Sequence, residues 1–222
     1  MIARIVTTIL IAATGVTSMS LTAYLLNNGK VQSLNISQYD LVNYTFTMQI
    51  TTLMVSFVAM LLIFFVDKEN FRTFFRRGSY WEYGLIVAVG FTAGTTMMMT
   101  FSATSQHGTI NQTFWGLMPL VLLFAATNAW SEEIFTRFVV VVGLYGKLKP
   151  ITICWIAAGV FGIPHFFGTP SGIFGVFMSG FLGFVLARSV LETKGMGWAW
   201  FIHFLQDVAI FGAGAAIIAG QP

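Results

Sequence analysis

Residues 114–142 read FWGLMPLVLLFAATNAWSEEIFTRFVVVV, and two adjacent glutamates and an arginine, Glu132, Glu133 and Arg137, sit inside that apolar run. A soluble amphipathic helix would put such charges on a solvent face opposite an apolar stripe. Here apolar residues flank the charges on all sides, over a length that, as a helix, exceeds the roughly 30 Å of a bilayer's hydrocarbon core. The rest of the chain agrees. Of its 222 residues, 56% are hydrophobic and 9% charged, and the mean hydropathy is +0.80. A soluble domain carries about 25% charged residues, so this chain cannot clothe a water-facing surface. The apolar runs are continuous, not the alternating segments of about ten residues that mark a membrane β-barrel. The expected fold class is therefore all-α: a polytopic membrane helical bundle, one integral membrane domain over 1–222.

Apolar, charge-free runs place spans near 5–26, 46–66, 84–101, 114–145, 151–167, 172–190 and 196–219. This makes about seven transmembrane helices, with room for an eighth, short one in 31–45 or 113–122. The stretch Ile5–Leu26 exceeds the 7–15 residues of a signal-peptide core and reads as the first span. With the N-terminus in the cytoplasm, the inside segments carry Arg4, Lys68, Arg72, Arg76, Arg77, Lys147, Lys149, Arg188 and Lys194, and the outside segments only Lys30. That asymmetry puts the C-terminus outside. The basic residues lie in short loops, so the expected partner is the lipid bilayer and not nucleic acid. The lone Cys154 excludes a disulfide framework. Small residues recur every four positions at Gly175, Ser179, Gly183 and Ala187, and again at Gly212, Ala216 and Gly220, which lets helices approach closely.

The ionisable groups at membrane depth are Glu132, Glu133, Arg137, His165, His203 and Asp207. Each charge there costs about 2.5–3.5 kcal/mol on insertion scales, so a functional role is the default reading. Counted from the nearest inside loop, Glu132, His165, His203 and Asp207 stand roughly 23, 24, 14 and 20 Å into the membrane at about 1.5 Å per residue. Three helices thus put their groups in one middle slab. Glu133 and Arg137 share a face at i, i+4 and can pair, whereas Glu132 points about 100° away. His203 and Asp207 also face one way. Pro164, with Gly162 and Gly168 on either side, opens the helix around His165.

A glutamate and a histidine can deprotonate a water, and two further groups can stabilise an oxyanion. Alternatively Glu132, His165, His203 and Asp207 hold a divalent metal such as zinc. The blocks EEIFTR, FGIPH and HFLQD, in that order on successive apolar helices, resemble the CPBP family of CAAX prenyl proteases and bacteriocin-processing enzymes, also called Abi; the likeness covers about 115–215. The resemblance implies an intramembrane endopeptidase acting on a membrane-associated peptide or protein, including lipidated ones. It implies that Glu132 and His165 activate water, that His203 and Asp207 hold the oxyanion, and that Glu133 and Arg137 order the site or contact substrate. The last block ends in Asp207 where prenyl proteases typically have Asn, and an ionised Asp only accepts hydrogen bonds. A non-catalytic scaffold of the same fold and a proton-coupled transporter are the competing functions. The transporter reading expects polar interruptions in both halves of the chain, yet here they all follow residue 130.

Overall fold

The structure, a computed structural model, describes residues 2–27, 38–168 and 170–221, with side chains from 2–18 and from residue 46 onward. The described chain is helical: α1 Ile2–Asn27, α2 Gln38–Val66, α3 Lys68–Phe74, α4 Gly84–Ser105, α5 Gln112–Glu133, α6 Val139–Leu144, α7 Pro150–Gly162, α8 Gly172–Thr193 and α9 Gly197–Ala219. A π-helical turn, Ile134–Phe138, joins α5 to α6, and a 3₁₀ turn, Ile163–Phe166, follows α7. Among the described residues, five stretches are long and apolar enough to cross a membrane: Phe46–Val66, Gly84–Ser105, Gln112–Leu144, Gly172–Thr193 and Gly197–Ala219. Ile2–Ser18 and Pro150–Phe166 are shorter apolar helices; the latter rises about 25 Å at 1.5 Å per residue. The protein is an integral membrane protein.

Among the described residues, neither 38–45 nor 113–122 forms a separate helix. Residues 28–37 lie outside the described residues, and 38–45 are the opening turns of α2, which has no Gly or Pro to break it. The segment 113–122 is the start of α5, which runs through Pro119 without interruption. Asn111 fixes that start, its Oδ1 accepting from Phe114 N at 3.2 Å as a helix cap does.

The chain forms two compact units, Met1–Ser79 with Ser131–Ala199, and Tyr80–Trp130 with Trp200–Pro222. In the first, α7 packs along α8. A methyl group at Gly162 would lie 2.9 Å from the Cα of Gly180, and one at Gly183 would lie 3.1 Å from the Cβ of Phe161. The small-residue stripe of α8 therefore does bring two backbones together. α1 lies on the π turn and α6, with Gly15 against the Phe135 ring and Gly143 against Thr8. In the second unit the stripe of α9 serves only at its end. Gly220 abuts His107, Thr109 N donates to Ala216 O at 2.9 Å, and nothing stands within 4 Å of a methyl group built at Gly212.

The segments expected on one side of the membrane gather at one end of the first unit. Asp67 caps α3, its Oδ1 accepting from Asn70 N at 3.2 Å, while its Oδ2 accepts from Arg4 at 3.1 Å and Lys147 at 2.9 Å. The Asn70 amide donates onward to Val142 O and Tyr145 O, both at 3.1 Å. Sequence reading treated 67–77 as loop, although the Asp-Lys-Glu-Asn start of α3 is a capping pattern. Burial opposes ionisation of Asp67, but the bonds from Lys147 and Asn70 and the charges of Lys147 and Arg4 prevail and hold its carboxyl below the ordinary range. A depressed folded-state value stabilises the fold above the unfolded value, about 3.9, and that share is lost as pH falls through the folded value. Asp67→Asn, which retains a capping side chain, should therefore melt below wild type at pH 7. The gap should close on acidification below about pH 4; melting curves in detergent across pH check both parts.

Candidate active site

The opening motif is built on the π turn of the first unit. Thr136 Oγ1 donates back to Glu132 O at 2.6 Å, engaging the carbonyl that an α-helix would offer to the Thr136 amide. Such back-bonding by threonine loosens a helix, and a wider π turn lies where it occurs. Arg137 Nη1 donates to Thr136 Oγ1 and stands 3.2 Å from Glu133 Oε1. The arginine side chain is 0% exposed and that of Glu133 1%. The pairing expected from their spacing is therefore present, and it is wholly removed from lipid and water. Glu132, one residue earlier, is only half-buried, in keeping with its different azimuth.

Phe161 ties this motif to the second block. The Arg137 guanidinium carbon lies 3.8 Å from the centroid of the Phe161 ring, a cation–π contact that is strongest when desolvated. His165 also lies against that ring, at 4.6 Å between centroids. His165 Nδ1 lies 2.8 Å from Phe161 O. A carbonyl only accepts, so Nδ1 carries the proton and Nε2 of the neutral ring keeps a lone pair. The departure from α-helix expected at Pro164 takes the form of the 3₁₀ turn Ile163–Phe166, on which His165 is half-buried. Sequence reading quoted Phe161 as part of a motif without giving it a task; the structure shows it between the arginine and the histidine.

The third block lies in the second unit. His203 Nε2 and Asp207 Oδ1 are 3.7 Å apart and both residues are buried. Asn128 Nδ2 donates to Asp207 Oδ2 at 3.1 Å. Gln206 Nε2 donates to Thr92 Oγ1 at 3.2 Å, and Thr95 Oγ1 donates to Gln206 Oε1. Gln206 thus fixes the rotation of α9 against α4, as Asn128 fixes it against α5. Asn128, Thr92, Thr95 and Gln206 escaped the sequence reading because only ionisable groups were weighed. An asparagine inside AATNAW and threonines three apart in an apolar run were the available signals.

Each unit contributes two of the four candidate metal donors, Glu132 with His165 and His203 with Asp207. Carboxylate and imidazole suit zinc chemically. Within either unit, no group of three or more His, Cys, Asp or Glu among the described residues is placed to hold a metal ion.

Removing one member of a buried pair strands the other charge, at about 3–5 kcal/mol. Arg137→Ala should therefore lower the melting temperature in detergent well below that of Glu132→Gln, which swaps a half-buried carboxylate for an amide of the same shape. Equal melting temperatures for the two variants would contradict the burial seen at Arg137.

Residues 113–209 match the family model described as type II CAAX prenyl endopeptidase, Rce1-like. No curated protein and no solved structure matches the chain. The matched stretch takes in Glu132, Glu133, Arg137, His165, His203 and Asp207, so the part of the chain that carries the motifs is similar to the CAAX protease (CPBP) family.

Proposed function

We propose that this protein is an intramembrane endopeptidase that hydrolyses a peptide bond in a membrane-associated, lipidated protein or peptide. The observation that carries the proposal is the stack of Arg137, Phe161 and His165, which joins the first two motif blocks on a buried ion pair. The family match supports the reaction class. The seven-span arrangement, with the N-terminus cytoplasmic and the C-terminus outside, belongs to the same proposal.

In this reading Glu132 and His165 hold the nucleophilic water, and Glu132 takes its proton as general base. The oxygen adds to the scissile carbonyl carbon, and the proton passes to the leaving amine nitrogen. His203 donates to the oxyanion. Asp207 accepts from Asn128 on one oxygen and faces His203 with the other, which supports a role in orienting the imidazole. Glu133 and Arg137 keep the π turn and Phe161 in register, and so hold His165. A divalent ion such as zinc, held by Glu132, His165, His203 and Asp207, would supply a water of lowered pKa.

Glu132→Gln should abolish cleavage by at least about a hundredfold, the scale of a positioned general base, while the variant inserts and melts like wild type. Comparing membrane proteomes of cells carrying wild type or the variant reads this out through the appearance of a cut peptide. Undiminished cutting by the variant would refute the assignment. Metal use is read separately: a metal-dependent enzyme loses activity to a chelator and regains it with zinc or cobalt, whereas a metal-free enzyme is indifferent to both.

A further inference from the structure

Away from the motifs, the end of the first unit that gathers the basic segments carries a second polar construction. Segments 76–79 and 193–197 run side by side. Ser79 N donates to Thr193 O at 2.9 Å, Met196 N to Arg76 O at 2.8 Å and Gly197 N to Arg77 O at 2.9 Å. Arg76 Nε donates to Lys194 O at 2.8 Å. Gly78 has φ 85°, and a Cβ there would sit 2.8 Å from Thr193 Oγ1 and 3.0 Å from the Cα of Gly195. The two segments are therefore tightly fastened.

Between them is a cavity of about 480 Å³ lined by Arg76, Arg77, Gly78, Ser79, Thr193 and Lys194. The lining holds three cations and no carboxylate. The acid nearest to Lys194 in sequence, Glu192, is bonded to Arg188 at 2.6 Å. Lys194 is anchored, its Nζ donating to Tyr145 OH at 2.8 Å and lying 4.2 Å from the centre of that ring. The Ser79 and Thr193 hydroxyls donate to backbone carbonyls. The donors left to meet a ligand are the guanidinium groups: Arg76 through its Nη nitrogens, and the exposed Arg77. Guanidinium forks match the geometry of phosphate oxygens. Three like charges on one small cavity attract an anion.

The setting selects the anion. Tyr80 and Tyr83, close after Ser79 in sequence, are 80% and 50% exposed. Such aromatic residues lie at the headgroup level of a bilayer, which puts Arg76 and Arg77 at the depth of lipid phosphates. We propose that this cavity binds the phosphate of an anionic phospholipid headgroup, at the end of the protein that the positive-inside rule assigns to the anionic leaflet.

The test uses the full-length protein in detergent, titrated with a short-chain phosphatidylglycerol or phosphatidylcholine and read by native mass spectrometry. Wild type should prefer the anionic lipid. Each charge removed should weaken that lipid about fivefold, so Arg76→Gln/Arg77→Gln should bind it about 25-fold more weakly. Should the double variant not fold, Arg77→Gln alone should still show the fivefold step, and Arg76→Lys/Arg77→Lys should keep the preference. Inorganic phosphate that displaces the lipid at millimolar concentration would uphold the phosphate site and point to a soluble source for its ligand. Equal binding of the two lipids by wild type, or an unchanged preference in Arg77→Gln, would overturn the proposal. Binding of polyglutamate without any lipid preference would overturn it too, in favour of an acidic protein partner.

Discussion

The constraint on which the first unit depends is that Glu133 and Arg137 carry charge where neither lipid nor water reaches them. Two ions taken out of water cost several kcal/mol each unless they meet each other and have their remaining hydrogen-bonding capacity met. The sequence around them answers part of that need. Thr136 supplies a hydroxyl to Arg137, the π turn opens beside it, and the Phe161 ring covers the guanidinium face. Burying the pair thereby fixes the position of Phe161, and with it His165 one helical turn further on.

Such an arrangement makes sense of a costly pair in a membrane protein. A buried ion pair is weak as a stabiliser, since an apolar pair of equal volume often does as well. It is strong as a registering device, because alternative rotations of the helix leave a charge unmet. Here it sets the register of a turn whose neighbour, Glu132, remains half-buried and open to chemistry. In the second unit, neutral groups do comparable work. Asn128 holds α9 through the buried Asp207 carboxyl, and the Thr92–Thr95–Gln206 cluster holds it by amide and hydroxyl bonds that carry no desolvated charge.

Much of this was legible in the sequence, because membrane insertion makes composition decisive. Charge-free runs of spanning length gave the helices, and the scarcity of ionisable groups isolated six residues. What was not legible depends on contacts between segments. The π turn hangs on one threonine back-bond, which no hydrophobic pattern reveals. The role of Phe161 required the α7–α8 approach through Gly162 and Gly180. Asn128 was passed over because an amide costs less to bury than a charge and so stands out less. The short extra helix allowed for at 113–122 is not separate, since α5 continues through Pro119. The stripe at Gly212 looked like the one in α8, but none of the described residues comes close to Gly212.

The claim that the buried pair acts through Phe161 to set His165 is tested most directly by ¹⁵N NMR of histidine-labelled protein at neutral pH. The account predicts that His165 is the neutral Nδ1–H tautomer in wild type, held by the Phe161 carbonyl, and that Arg137→Met or Phe161→Leu converts it to a mixture of tautomers. An Nε2–H form in wild type, or a spectrum unchanged in both variants, would contradict it.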